Sequence, residues 1–447
     1  MVFVASTLDK IIENLPQVEG PKEKKLGFKQ KLKWTLIILI AFFILGVMPL
    51  FGLESAALAQ FEFLEMVLGA SIGSIITLGI GPIVTAAIVL QLLKGSGILQ
   101  IDTMTEYGKK KFQGLQKILA FGFVVIEALV FTLLGGLTPE AGVPMAVLVF
   151  QLILGGVLII FMDEVVSKWG FGNGIGLFIV GGVSKQIFIQ LLSPLTQEGD
   201  EFSIGHIFRI FQAVQEGAGS VAFESILFIA FTIVAFFAIV YVQAIKVEIP
   251  LSFGRVRGHG IRWPLNFFYT NVIPVILIAA LLANFQIISQ LIAPNSMWAT
   301  FFQPPNLIQL IASSGFGAVL EPNILLRSIS YILVFVIGAT IFGIFWVQTA
   351  GLDSKSQAKQ IMASGLQIPG FRKDSRVLER MLDRYIWPLT IMGSMAIGLV
   401  ASIGDLFGVL GGGTGILLTV MIIYRIYEEI AKQHMMDMNP AMRKFIS

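Results

Sequence analysis

Cysteine is absent from this 447-residue chain, and histidine occurs only at His206, His259 and His434. The first absence excludes disulfide frameworks, thiolate metal sites and cysteine nucleophiles; the scarcity of histidine argues against a histidine metal cluster. Charge is sparse as well. Charged residues make up 13% of the chain, about half the ~25% of ordinary soluble domains. The balance of 31 Lys and Arg against 28 Asp and Glu leaves +3, which does not mark a general polyanion binder. Apolar residues fill the space instead: 55% are hydrophobic, with 37 Phe and 46 Gly, and the mean hydropathy is +0.84. Such a composition belongs to membrane helices, where glycine lets neighbouring backbones approach closely. It excludes a soluble enzyme.

A span requires about 20 mostly apolar residues, because the hydrocarbon core is ~30 Å thick and a helix rises ~1.5 Å per residue. Ten segments qualify: 34–51, 71–93, 113–134, 143–162, 175–193, 223–245, 266–290, 325–348, 386–403 and 411–430. Basic residues stay on the cytoplasmic side. Lys10 to Lys33, the loops after spans two, four, six and eight, and the tail together hold 28 of the 31, leaving Lys185, Arg209 and Arg327 for the other face. Both termini are therefore expected in the cytoplasm. The first apolar segment is long and lacks an A-x-A-like cleavage site, so it reads as a retained span. Before it, Val2 to Leu15 alternates apolar residues with Asp9, Lys10 and Glu13, as a surface-lying helix or a flexible terminus would.

Several features depart from a plain bundle. The stretch 52–69 has no Lys or Arg and is too short and too acidic to cross twice. Good helix formers at Ala56, Ala57, Leu58 and Leu64 predict a half-helix, either in an external loop or folded back into a cavity between spans. Gly73, Gly79, Gly81 and Pro82 predict a weakened or kinked second span, with close helix packing as the alternative, and Pro274 acts similarly in the seventh. Two groups of five spans start in opposite orientation, the arithmetic of an inverted repeat, although no residue-level identity between the halves stands out. Glu127 is the one carboxylate well inside a span, where it needs a partner, water or a proton.

Two cytoplasmic loops concentrate basic charge: one with Arg255, Arg257 and Arg262, the other with Arg372, Lys373, Arg376, Arg380 and Arg384 and an amphipathic helix predicted over 375–385. Topology alone could place these charges, as could docking of an RNA-rich or acidic partner. The glycines of GRVRGHG form no nucleotide fingerprint, since no strand is expected before them and no paired helix after.

The segments ITLGIGPIVTAAIVLQLL, DEVVSKWGFGNGIGLFI, IPLSFGRVRGHG, GIFWVQTAGLDSKSQAKQI and GGGTGILLTVMIIYRIYEEI, in this order, resemble the SecY family of protein-conducting channel subunits in its archaeal and eukaryotic-like branch. The resemblance runs over nearly the whole chain and is weakest near 194–222 and 291–324. It implies an all-α polytopic membrane protein with ten helices in two pseudo-symmetric inverted halves of five around an hourglass pore, and no enzymatic activity, cofactor or metal. The implied organisation is a cytoplasmic segment 1–33, a first half 34–193 with a plug near 54–66, an external hinge 194–222, a second half 223–430 with docking loops 246–265 and 349–385, and a tail 431–447.

The resemblance also implies residue roles. The pore ring falls on Ile80, Val84, Ile175, Ile179, Ile276 and Leu418, where Val84 and Leu418 replace the family's frequent isoleucine. Spacing alone makes Ile80 with Val84, and Ile175 with Ile179, no more than pairs on one helix face. The plug carries Glu54, Ala57, Leu58, Phe61, Leu64 and Met66. A lateral gate between spans two and three and spans seven and eight holds Thr85, Glu127 and Asn284. Arg255, Arg257, Arg372 and Lys373 would meet ribosomal RNA and protein of a translating ribosome. Implied partners are SecE-like and small beta subunits, the signal-recognition receptor pathway, signal peptides, nascent chains and membrane lipid; the implied location is the cytoplasmic membrane.

A proton-coupled secondary transporter, using Glu127 with Gly79, Gly81 and Pro82 as a broken-helix site, is the alternative function, and it leaves the basic loops unexplained. A membrane scaffold explains the loops but neither the Gly-Pro break nor the half-helix.

Overall fold

In lipid every backbone polar group must be satisfied within the protein, and runs of apolar residues meet that demand as helices. The computed structural model describes residues 12, 14–22, 26–53, 73–95, 97–99, 101–103, 105–133, 137–196, 201–253, 260–292, 303–363, 366–367 and 375–438. Ten long helices cover the ten expected spans: α1 Phe28–Val47, α2 Gly81–Gly95, α3 Glu106–Leu133, α4 Met145–Trp169, α5 Gly174–Leu192, α7 Gly219–Ala244, α8 Ile273–Ile292, α11 Pro322–Thr349, α13 Ser375–Leu406 and α14 Gly413–Met438. Between them lie α6 His206–Gln215, α9 Leu307–Ser314, α10 Phe316–Val319 and α12 Ser354–Ala363. Seven of the ten are long and apolar enough to cross a membrane unaided, and α2 and residues 273–286 of α8 are shorter apolar helices.

The two short spans differ from expectation for one physical reason. The apolar run 71–93 becomes helical only at Gly81, and 266–290 only at Ile273. Gly79 has φ 51° and Asn271 has φ 60°, the latter the sole non-glycine with positive φ among the described residues. A left-handed residue ends any right-handed helix before it. Each lies three residues ahead of a proline, Pro82 or Pro274, in a first turn where a missing N–H costs nothing. The Asn271 side chain accepts from the N–H of Val272 at 2.8 Å, which suits asparagine to that conformation. The breaks thus recur at corresponding places in the two halves.

The basic loop after α7 departs from expectation too. Strand β1 (Lys246–Phe253) does precede the glycines, and β2 (Gly260–Asn266) follows, pairing antiparallel from Lys246↔Asn266 to Ser252↔Gly260. A short β3 (Leu366–Gln367) joins β1 on its other edge. With a strand on each side, this is a hairpin and not the strand-turn-helix of a nucleotide site. The helix expected over 375–385 is the first third of α13, which runs on through Pro388 into the membrane. Ile249 and Leu265 of the hairpin bury against Ala358 and Ile361 of α12 and Leu378 and Leu382 of α13, forming a small core of their own.

The main core extends through both halves. They meet along two seams: α2 packs against α8 and α11 on one side, and α5 against α14 on the other. Outward faces stay apolar, with Val47, Val234 and Phe237 exposed, as a lipid-facing surface requires. Near the amino terminus, residues 14–19 lie along the N-terminal part of α3 and the C-terminal end of α4. There Lys117 Nζ donates to Pro16 O at 2.5 Å, Lys168 Nζ to Val18 O at 2.5 Å and Trp169 Nε1 to Glu19 O at 2.9 Å. Glu164 receives both lysines, at 2.6 and 2.8 Å. The surface helix considered for Val2 to Leu15 falls almost wholly outside the described residues.

Candidate pore constriction and gate

Proline and its preceding break fix where α2 and α8 begin, and so fix Val84 and Ile276, each two residues past its proline. Ile80, Val84, Ile179, Ile276 and Leu418 are all buried in one apolar cluster, and Ile175, partly exposed, packs against it. Helices α2, α5, α8 and α14 supply all but Ile80, which stands one residue ahead of α2. None has a polar atom on its side chain, so the cluster offers water and ions no hydrogen bond.

The segments GNGIGLFI at 172–179 and GGGTGILL at 411–418 align residue for residue in sequence, with Ile179 opposite Leu418. Gly172 (φ 69°) and Gly411 (φ 74°) correspond. Each segment is held by a buried carboxylate from the preceding span. Asp163 Oδ1 accepts from the N–H of Ile175 at 2.9 Å. Asp405 accepts from the N–H of Thr414 at 3.1 Å, from Thr414 Oγ1 at 2.7 Å and from Tyr331 OH at 3.0 Å. These capping carboxylates satisfy helix N–H groups that would otherwise be orphaned in an apolar interior. The residue-level repeat that composition and spacing left unseen is therefore present: a break before proline, then a Gly-rich turn capped by aspartate, once per half.

Along the α2 seam, Thr85 Oγ1 donates to Glu127 Oε1 of α3 at 3.0 Å and accepts from Asn284 Nδ2 of α8 at 3.3 Å. The three gate residues thus meet, and Glu127 has the polar partner its position demanded. At the C-terminal end of α2, Lys94 Nζ reaches Thr103 Oγ1 at 2.6 Å and Thr349 O of α11 at 3.0 Å, contacts that no pattern in the sequence marks.

All the plug residues, Glu54, Ala57, Leu58, Phe61, Leu64 and Met66, lie outside the described residues, as do Arg255, Arg257, Arg372 and Lys373. The flanks of the plug segment are described, and they come together. The N–H of Leu50 donates to Gly73 O at 2.8 Å and that of Ile75 to Met48 O at 3.0 Å, with Pro49 and Ser74 forming an antiparallel bridge. Gln151 Oε1 of α4 accepts from the N–H of Phe51 at 2.9 Å. The chain therefore leaves and re-enters the bundle at one point. Within the β1–β2 hairpin, Arg262 pairs with Glu248 at 2.9 Å on an exposed surface.

Among the described residues no group of His, Asp and Glu is placed to hold a metal. The SecY family model matches residues 74–427. The protein translocase subunit SecY of Methanococcus vannielii is 40% identical over 450 residues, covering 98% of each chain, and that of Methanocaldococcus jannaschii is 39% identical over 441 residues, again 98% of each. Among solved structures, a protein-conducting channel superimposes with a TM-score of 0.82 at 38% identity, over 97% of this chain and 99% of that one. Sec61 in the canine ribosome-channel complex of the endoplasmic reticulum gives 0.79 at 38% identity with the same coverage.

Proposed function

This chain belongs to the SecY family, and we propose that the buried aliphatic cluster of Ile80, Val84, Ile175, Ile179, Ile276 and Leu418 is the constriction through which it passes polypeptide. The protein is a subunit of a protein-conducting channel in a membrane it crosses many times, and it is not an enzyme. The observation that supports the constriction reading is the recurrence, once in each half, of break, proline and aliphatic residue at Val84 and Ile276, within an apolar core that both halves share and that takes in or packs against all six side chains. Such a ring seals against ions by dewetting, and its side chains part around an extended chain without reading its sequence.

Thr85, Glu127 and Asn284 form the polar bond of a lateral gate along α2, α3, α8 and α11. A contact satisfied when the seam is closed is replaced by apolar packing when a signal helix enters, so it sets the hydrophobicity a signal must have. Segment 54–66, tethered at both ends by the Pro49–Ser74 bridge, is the plug of the external funnel, residues 194–222 are the hinge, and 1–33 and 431–447 are cytoplasmic. The membrane is the cytoplasmic one. Arg255, Arg257, Arg372 and Lys373 dock a translating ribosome, in keeping with the ribosome-bound relative. SecE-like and small beta subunits clamp the bundle, and the signal-recognition receptor pathway delivers substrates. Force comes from a partner such as the elongating ribosome. A proton-coupled transporter finds no support among the relatives, whose names describe translocation.

Proteoliposomes holding the channel complex test the reading. A signal-bearing chain should become protected from protease in a manner dependent on this subunit, while the same chain without its signal stays exposed; equal handling of both contradicts a signal-gated seam. Ribosomes should co-sediment with these membranes at low salt and be lost on Arg255→Glu or Arg372→Glu. Binding that ignores both salt and charge reversal overturns the docking assignment.

A further inference from the structure

The last carbonyls of a helix have no partner within it and must find donors elsewhere. In α11 two are met locally: Trp346 O accepts from the N–H of Ala350 at 2.8 Å, and Val347 O from that of Leu352 at 3.0 Å. Thr349 O is met differently. Its donors are Lys94 Nζ at 3.0 Å and Thr103 Oγ1 at 3.1 Å, both from the opposite half of the molecule, and Lys94 Nζ also donates to Thr103 Oγ1 at 2.6 Å. The three atoms close a ring in which one half caps a helix of the other.

Charge and shape favour this arrangement. A cation at a helix C-terminus is stabilised by the helix dipole, and Asp102 of the first half and Asp353 of the second offset part of the cost of burying the ammonium. The Phe345 ring of α11 also packs directly onto Gly95, where a Cβ would lie 2.6 Å from it. Thr349 is buried, so separation of α2 from α11 strips its carbonyl of both donors at once. Lys94 lies nine residues beyond Thr85 on α2, about 13 Å along the axis at ~1.5 Å per residue. The seam therefore has two polar fastenings at different depths.

We propose that Lys94, with Thr103, is a cytoplasmic latch on the lateral gate: a positioning pair that caps α11 in trans, holds α2 against α11 at rest, and must let go before the Thr85 contact can part. The consequence for signals rests on the channel reading; the latch itself does not. Its release requires no covalent step. The ammonium on its long stem turns to water, and the charge is never left buried.

The test uses the cysteine-free full chain in its membrane complex, reconstituted in lipid discs, with nitroxide labels on Leu92→Cys and Ile341→Cys, two exposed positions on α2 and α11. Distance distributions between the labels are recorded by pulsed electron resonance without substrate. Lys94→Met keeps the stem and removes the donor, and it should raise the population of longer distances at least about tenfold, the order expected for one charge-assisted hydrogen bond. Thr103→Val should shift it in the same direction by less, and carries the test alone if Lys94→Met does not assemble. Lys94→Arg retains a donor and should restore the resting distribution. Superimposable distributions for Lys94→Met, Thr103→Val and the parent chain overturn the latch. In parallel, Lys94→Met should translocate a chain with a shortened apolar signal several-fold better than the parent does. A distance shift without any translocation by the parent chain leaves the latch standing and removes the channel reading, whereas robust parental translocation with no distance shift does the reverse.

Discussion

Thr85→Val removes from the seam a hydroxyl that donates to Glu127 Oε1 at 3.0 Å and accepts from Asn284 Nδ2 at 3.3 Å, while keeping the side chain's branching and size. Interhelical hydrogen bonds between side chains in membranes average about 0.6 kcal/mol. The Thr85 hydroxyl also shares its proton with Gly81 O at 2.9 Å, so the Glu127 bond counts for less than a full one, and the two together come to about 1 kcal/mol. At RT near 0.6 kcal/mol this moves a closed-to-open equilibrium about fivefold toward open. A leucine at the centre of a membrane helix contributes about 0.3–0.6 kcal/mol to insertion, so the variant should accept signals about two or three leucines poorer. The assay is translocation of one reporter behind a graded leucine-alanine signal series, read as the leucine count at half-maximal efficiency. Thr85→Ser, which retains the hydroxyl, should hold the parental midpoint. The reasoning fails if Thr85→Val leaves the midpoint in place or moves it toward richer signals.

Asp405→Ala deprives α14 of its cap and leaves Tyr331 OH and Thr414 Oγ1 unpaired, a loss of about 2–5 kcal/mol. Tyr331→Phe leaves the carboxylate its Thr414 donors, so thermal unfolding of the purified complex should rank Asp405→Ala well below Tyr331→Phe, and the reverse order would refute the cap. At φ 60° a β-branched side chain is strained, so Asn271→Val should destabilise by about 1–3 kcal/mol more than Asn271→Gly, measured as the difference in apparent melting temperature. His206, in α6, lies with its ring 5.0 Å from that of Phe228, and burial lowers its pKa from 6.5 to about 4, with Arg209 adding to the effect. Above about 6.5 both docked and undocked imidazoles are neutral. As pH falls from there toward 4 only the undocked one takes a proton, so docking of α6 weakens across that window. Protection of the α6 amides against hydrogen exchange, taken relative to their intrinsic rate at each pH, should fall between pH 6.5 and 4 in the parent and much less in His206→Leu; an equal fall in both would refute it.

Much of this protein was legible from hydropathy. All ten apolar segments are helices, because in lipid an apolar run of that length has few other ways to satisfy its backbone. The boundaries slipped where a single backbone conformation outweighs hydropathy: residues 73–80 and 266–272 are as apolar as a helix needs, yet Gly79 and Asn271 turn the chain. Charge concealed the hairpin 246–266, since its alternation is short and it carries Arg262 and Glu248 on its exposed face. The inverted repeat was visible as orientation arithmetic. Its residues escaped notice because the shared elements are a φ angle, a proline offset and a capping aspartate at different distances in sequence, twelve residues before Ile175 and nine before Thr414. The meeting of Thr85, Glu127 and Asn284 came from family resemblance and stands in the geometry as three contacting side chains. Lys94 escaped detection because its acceptor is a backbone carbonyl 255 residues away, and no sequence pattern marks a carbonyl.

The absence of native cysteine makes the central claim directly testable. Single cysteines at Ile80 or Ile276, with lipid-facing controls at Val234 or Phe237, are to be tested for disulfide formation with one cysteine in a secretory chain stalled during translocation. The account predicts crosslinks at both constriction positions and at neither control. A stalled chain shown to be engaged that reaches neither Ile80→Cys nor Ile276→Cys, or that reaches the lipid-facing controls equally well, would contradict a polypeptide path through this cluster.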